Sequence, residues 1–264
     1  AFYALGAYAS ALLTLAGVPF LVAMGVGVVV AVLASLLLGT ATLRLSEDYF
    51  AILTLGFSEF VRLFLLNARE LTRGALGIPG IPRPWRGLGG VPAHIMYLGL
   101  VLIAVGVAFA LCEVLAQSPL GRTLRAIRDD DQAAMALGKD VLRFRLISLG
   151  WGAGLAAVAG SLWAHYVTYV LPDQFTPEIT FYTWMAMIIG GPGSTRGALW
   201  GTAILVAVLE GTRFAKDVMP MIDEPRLAAL RQVAIGLGLI VMTVYVRKLG
   251  GRSRPRVAPA TVSG

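Results

Sequence analysis

The feature that most constrains this chain is a succession of apolar stretches, each close to the length that crosses a bilayer, separated by short turns. A helix needs about 20 consecutive apolar residues to span the hydrocarbon core. Stretches that meet or approach this length run over residues 1–16, 19–43, 49–71, 92–116, 146–171, 178–191, 197–215 and 227–246. The expected fold is therefore all-α, a polytopic transmembrane bundle of about eight hydrophobic segments. Composition agrees: 57% of the residues are hydrophobic and 14% charged, with a mean hydropathy of +0.77. Soluble domains carry about a quarter charged residues.

The formal charge of +7 invites a nucleic-acid reading. The basic residues, however, flank apolar runs and form no single basic face with interleaved aromatics, so no nucleic-acid partner is expected and membrane lipid is. The single cysteine, Cys112, lies inside an apolar run. It excludes an intramolecular disulfide and reads as packing. HExxH, GxSxG and Walker A patterns are absent from the sequence, so no catalytic residue, metal site or cofactor is assigned.

Orientation follows from Lys and Arg in the short loops. A polar island over residues 118–145 holds Arg122, Arg125, Arg128, Lys139, Arg143 and Arg145, and the tail holds Arg247, Lys248, Arg252, Arg254 and Arg256. Both are expected in the cytoplasm, and the four apolar segments between them satisfy the parity. The loop over 72–91 conflicts with this assignment: it should lie outside, yet it carries Arg73, Arg83 and Arg86. Being rich in Gly and Pro, it is expected to fold over the outer surface. The transmembrane domain is placed at 1–247, with the loop 118–145 inside it and a disordered basic tail at 248–264.

Small residues four apart let helix backbones approach closely. Gly150 with Gly154, and Gly193, Gly197 and Gly201, are the clearest runs. GGPGSTRG at 190–197 interrupts an apolar run, either as a tight interhelical loop or as a break whose backbone lines a cavity. Glu59 and Arg62 are spaced to share a helix face and neutralise each other, either facing a bundle interior or pathway or snorkelling from a partly interfacial segment. Glu210 and Arg213 repeat that spacing near a segment end, where snorkelling to the boundary suffices. His165 reads as a packing histidine with satisfied ring nitrogens.

Within the island, Ser118-Pro119 marks a helix start, and Leu120, Leu124 and Ile127 follow at helical spacing. Asp129, Asp130 and Asp131 follow, any of which can cap a second short helix over 132–137 that Gly138 stops. Its small exposed surface, Ala133, Ala134 and Ala136 with Met135 and Leu137, suits insertion into a groove on another protein. A solvated connector fits the same residues.

Gln-Ala-Ala-x-x-x-Gly at 132–138 resembles the cytoplasmic coupling loop of ABC importer permeases. The wider runs GRTLRAIRDDDQAAMALGKDVLRFRLISL, AGSLWAHYVTYVLPDQF and GGPGSTRGALWGTAIL resemble the second permease of branched-chain amino acid ABC importers, as do AFYALGAYASALL and LRLSEDYFAILTLGFSEFVRL. This resemblance implies a bacterial inner-membrane subunit with a cytoplasmic C-terminus. Its implied partners are ABC ATP-binding subunits, a second homologous permease subunit and a periplasmic solute-binding protein. It also implies that Asp131, Gln132, Ala133, Ala134, Leu137 and Gly138 couple to the ATPase. The subunit itself would not be an enzyme.

Pathway candidates are Thr54, Gly56, Glu59 and Trp184, with backbone groups at Gly190 and Gly191. Gln132 replaces a glutamate of the family pattern, TRGALGIPGI lacks its Gly-Pro-Asn, and Pro192 replaces its leucine. The family carries another span before AFYALGAY, so Ala1 is expected not to be the natural start. The alternatives are a urea or short-amide importer permease and an ion-coupled secondary transporter.

Overall fold

The computed structural model describes residues 1–42, 47–85, 90–191, 193–218 and 236. The expected segment at 227–246, the basic tail, Arg86, Pro192 and the Arg213 side chain lie outside the described residues. The chain is mostly helical. Among the described residues, four helices are long and apolar enough to cross a membrane: Phe20–Thr42, Tyr49–Asn67, Val91–Gln117 and Val141–Val167. The chain divides into two units, residues 1–177 and 178–264, each described by itself.

The first unit is built on α1 (Phe2–Leu15), α2 (Phe20–Thr42) and α8 (Val141–Val167), which pack on one another. These helices are apolar on all faces, so side-chain size decides what is buried. In α2 the buried residues are Ala23, Gly27, Ala31, Ser35, Gly39 and Thr42, while Leu21, Val22, Val29, Leu33 and Leu37 point outward. Water would reward burying the large residues. In lipid, close backbone contact between small residues is what draws helices together.

The tightest approach lies between α1 and α8. A Cβ on Gly6 would sit 2.4 Å from the Ala157 backbone, and one on Gly160 would sit 2.0 Å from the Tyr3 carbonyl oxygen. Gly150 and Gly154, by contrast, face α2 side chains at 3.6–3.9 Å, where a methyl group would fit. The close contacts are therefore elsewhere than the most conspicuous glycine pair. His165 is 0% exposed, between Ser161 O (2.7 Å from Nδ1), Thr14 Oγ1 (3.1 Å from Nε2) and the edge of Phe20. A carbonyl only accepts, so Nδ1 carries the proton. Both ring nitrogens are satisfied, and His165 is a packing residue.

Helix α3 (Glu47–Asn67) leans on this group and ends before the turn α4 (Arg69–Thr72). The expected single run to residue 71 is thus broken at Ala68. Helix α5 (Gly90–Gln117) touches the others sparsely and is held where the Tyr97 hydroxyl donates to Leu162 O. The island folds as α6 (Pro119–Asp129) and α7 (Asp131–Ala136). Helix α8 begins at Val141, five residues before the expected start at 146, because the Asp140 side chain caps it by accepting from Arg143 N at 3.1 Å. It stops at Thr168 (φ 61), short of the expected residue 171. The chain then pairs as β2 (Tyr169–Val170) with β1 (Ile78–Pro79), antiparallel, Ile78 opposite Val170.

This pairing lays the 72–85 loop over the C-terminal end of α8, with Ile78 and Ile81 buried in the main core beside Ala4, Tyr8, Val170 and Phe175. The 27 residues of α8 rise about 40 Å, more than the ~30 Å hydrocarbon core. The loop and the polar island therefore occupy opposite ends of one long helix.

The second unit is a hairpin of α9 (Glu178–Gly190) and α10 (Thr195–Val218), packed through Met185, Ala186 and Leu205. Gly191 (φ 88) and Gly193 (φ 91) make the turn, and Ser194 Oγ accepts from Gly197 N at 3.0 Å to start α10.

Candidate functional site

At the island end, local chemistry determines each element. Ser118 Oγ accepts from Gly121 N at 3.2 Å and Pro119 takes the first turn, so α6 starts where the sequence places it. Arg122 and Arg125 turn back to the last carbonyls of α5, donating to Gln117 O (3.4 Å) and Ala116 O (2.7 Å). Those carbonyls have no partner within α5. The two arginines thus tie α6 to the end of α5.

Of the three aspartates, Asp130 is the cap: its Oδ1 accepts from Ala133 N at 3.0 Å. Asp131 is the first residue of α7 and pairs instead with Arg145 on α8 at 3.2 Å. The far end closes with Gly138 N donating to Met135 O (2.9 Å) and Lys139 N to Ala134 O (3.1 Å), with Gly138 at φ 75. This Schellman pair requires a left-handed residue, which glycine adopts without Cβ strain.

One expectation about this face needs correction. Ala134 is only 4% exposed, buried with Ile127, Val141 and Phe144. It seats α7 on its own protein and is not part of the exposed surface. Gln132, Ala133, Met135, Ala136 and Leu137 form the outward surface, and Leu137 is 80% exposed. Behind α7 lies a cavity of about 1010 Å³. Its lining includes Asp131, Gln132, Arg145, Phe2, Phe50 and Ala153.

The pathway candidates are less coherent. Thr54 donates to Ala51 O at 2.9 Å, and Gly56 faces open space. At about 100° per residue, Gly56 and Glu59 lie about 60° apart around α3, but Thr54 lies about 140° from Glu59. The three do not share one face. Glu59 is held by Arg62 at 2.6 Å, and the other arm of Arg62 reaches Asp173 at 2.9 Å. Asp173 is the member that sequence reasoning missed. It is 111 residues away from Arg62, and no local spacing signals it.

Trp184, Gly190 and Gly191 belong to the second unit. Trp184 is 54% exposed and edge-on to Phe181. A Cβ on Gly190 would lie 1.8 Å from Gly197 O, and one on Gly201 2.0 Å from Ala186 O. Gly190 is thus accounted for by the crossing of α9 and α10. Another missed signal is the stripe of small residues on α2, Ala23, Gly27, Ala31, Ser35 and Gly39, visible as a strict step of four. Among the described residues, no cluster of His, Cys, Asp and Glu could hold a metal ion.

Residues 1–247 match the family model described as the permease component of branched-chain amino acid transport systems. The high-affinity branched-chain amino acid transport system permease protein LivM of Escherichia coli (strain K12) is 34% identical over 267 residues, covering 92% of this chain and 62% of that protein. The probable branched-chain amino acid transport permease protein LivM of Methanocaldococcus jannaschii is 28% identical over 166 residues, 62% of this chain and 48% of that protein. The autoinducer 2 import system permease protein LsrC of Klebsiella pneumoniae is 29% identical over 188 residues, 71% of this chain and 52% of that protein. The chain spans about three-fifths of the length of the E. coli relative. No solved structure matches it.

Proposed function

This chain belongs to the family of permease components of branched-chain amino acid transport systems, and from that premise we propose that it forms part of the membrane pathway of an ATP-driven importer. The substrate is a branched-chain or related amino acid, and a separate ATP-binding subunit hydrolyses the ATP. A second homologous permease completes the pathway, and a periplasmic solute-binding protein delivers substrate. The chain crosses the bacterial inner membrane about eight times, with the island and the C-terminus in the cytoplasm.

The observation that carries the coupling role is the build of α7. It is a short helix capped at both ends, exposing Gln132, Ala133, Met135 and Leu137 on a turn outside the long apolar helices. Such a rigid helix enters a groove with little loss of side-chain entropy. Closure of the ATPase pair pushes on this face. The Asp131–Arg145 pair and the seat of Ala134 against Val141 pass the displacement to α8. Because α8 reaches across the membrane and packs on α1 through Gly160, motion at one end is felt at the other. Glu59, Thr54 and Gly56 on α3, with Trp184, Gly190 and Gly191 on the hairpin, remain the proposed pathway set, with Gly56 and Glu59 as its coherent pair.

The test is co-purification and ATP-coupled uptake in a reconstituted importer, comparing wild type with an Ala133→Arg, Leu137→Glu double variant. Both positions are exposed, so the chain folds, whereas an arginine at buried Ala134 would break its own seat. Loss of ATPase binding and uptake is expected. Wild-type coupling in the double variant would refute the docking role of α7. Competition of labelled leucine uptake by isoleucine, valine and urea then reads the substrate class.

A further inference from the structure

The cavity of about 1010 Å³ behind α7 joins two kinds of wall. Its charged residues come from the junction of α6 and α7 and from the start of α8: Arg128, Asp129, Asp130, Asp131 and Arg145. From there it follows α8 inward. Arg145, Leu149 and Ala153 all line it, and from Arg145 to Ala153 the helix rises about 12 Å, which brings the cavity near the middle of a span that runs over Val141–Val167. Leu124 of α6, Phe2 of α1 and Phe50 of α3 complete the apolar wall. Gly152 leaves that wall open. It is exposed, and a Cβ there would meet no atom within 4 Å.

The charged rim has unused capacity of both signs. Asp131 takes only Nη2 of Arg145, at 3.2 Å. Asp129 takes Nε and Nη2 of Arg128 through a single oxygen, Oδ1, and Asp130 spends Oδ1 on the cap of α7. Among the described residues, the remaining N–H groups of both guanidiniums and the Oδ2 atoms of Asp129 and Asp130 make no hydrogen bond. Three aspartates against two arginines leave the rim with a net negative formal charge.

We propose that this cavity is a specific site for a phospholipid with a zwitterionic, primary-amine headgroup, of the phosphatidylethanolamine class. Its phosphate takes the spare donors of Arg128 and Arg145, its ammonium meets Asp129 and Asp130, and an acyl chain lies along Leu149, Gly152 and Ala153. Guanidinium groups suit phosphate oxygens. A primary ammonium donates hydrogen bonds to carboxylates, whereas a choline headgroup has no N–H to donate. An anionic headgroup is drawn to basic clusters and is repelled by this rim. A free aliphatic amino acid carries the same two charges, but a cavity at the upper end of the range for small-molecule sites, about 300–1,000 Å³, would stay mostly empty around it. The opening beside Gly152 admits a chain sideways from the bilayer. Bound there, the lipid braces the α6–α7 junction against α8.

The inference goes beyond the importer reading and does not depend on it. The purified full-length protein, with its co-purifying subunits, is delipidated and titrated with dioleoyl phosphatidylethanolamine, phosphatidylcholine or phosphatidylglycerol, and bound lipid is counted by native mass spectrometry. Saturable binding of phosphatidylethanolamine with a Kd at least tenfold below those of the other two is expected. Gly152→Leu fills the cavity without touching another atom and should raise that Kd at least tenfold. Gly99→Leu adds the same side chain on α5, where a Cβ also meets nothing within 4 Å, and should stay within twofold of wild type. Asp129→Asn should narrow the preference for phosphatidylethanolamine over phosphatidylglycerol at least threefold, a change of selectivity that a merely structural residue would not produce. Equal affinities for the three lipids, a preference for phosphatidylglycerol, or wild-type affinity in Gly152→Leu would each overturn the proposal. An equal loss in Gly99→Leu would assign the binding to general lipid contact and overturn it too. Displacement of bound phosphatidylethanolamine by free leucine would assign the cavity to an amino acid and overturn it while supporting the importer reading. The lipid outcomes leave that reading untouched, since uptake is not their readout.

Discussion

Replacing Gly160 by alanine adds one methyl group, and the structure fixes what that methyl meets. Its carbon would sit 2.0 Å from Tyr3 O and 3.2 Å from Ala7 N. Ordinary contact begins near 3.4 Å, so α1 and α8 must separate by about 1.4 Å at this point. Both atoms are backbone, and no rotamer change relieves the overlap. The separation also stretches the bond from Ser161 Oγ to Gly6 O (3.0 Å) and the contact of Thr14 with His165 (3.1 Å). Overpacking costs about 1–3 kcal/mol and each of the two weakened hydrogen bonds about 1 kcal/mol, which together give about 4 kcal/mol, roughly a thousandfold in the folding equilibrium. The control is Gly154→Ala, whose methyl meets Val28 and Val32 at 3.6 Å; it should lie within about 0.5 kcal/mol of wild type. Retention of secondary structure through an SDS titration in mixed micelles, followed by circular dichroism, measures both. Equal midpoints for the two variants, or a larger loss for Gly154→Ala, would refute the assignment of the close helix contact to Gly6, Ala157 and Gly160.

Three further outcomes are expected. Arg62→Met leaves Glu59 without its partner and frees Asp173; as both carboxylates are largely exposed, the SDS midpoint should fall only slightly, and a double-mutant cycle with Asp173→Asn should show a small favourable coupling by the same titration. Gly138→Ala forces a left-handed alanine at φ 75, at about 1 kcal/mol; hydrogen exchange should accelerate over 131–139 while α8 stays protected. Ala134→Arg should unseat α7, raising exchange in α6 and α7 together, whereas Ala133→Arg should leave exchange unchanged and lower only the binding of the ATP-binding subunit.

The apolar segments that form the described helices, the starts at Ser118 and within the aspartate run, and the stop at Gly138 were legible because each signal acts within a few residues. The outward surface of α7 was legible in outline, and Ala134 was misassigned because a short alanine run carries no marker of which alanine faces its own protein. The Glu59–Arg62 pair was legible from its spacing of three; its third member, Asp173, was not. The pathway set was the weakest part, since Thr54 and Glu59 differ in direction around α3 and Gly190 is required by the crossing with Gly197.

By itself the sequence determined that this chain is a helical membrane protein, where most of its described helices run, and which short island between them is polar. Those properties follow from segment length and from backbone groups that must be satisfied locally in lipid. Only the tertiary structure decided which faces meet. A helix such as α2 is apolar all round, so its buried and lipid-facing sides differ in size and not in polarity. Ala23, Gly27, Ala31 and Ser35 are inside because small residues let another backbone approach, and the partner that approaches, Gly6 and Ser161 at Gly27, is a property of the assembled helices.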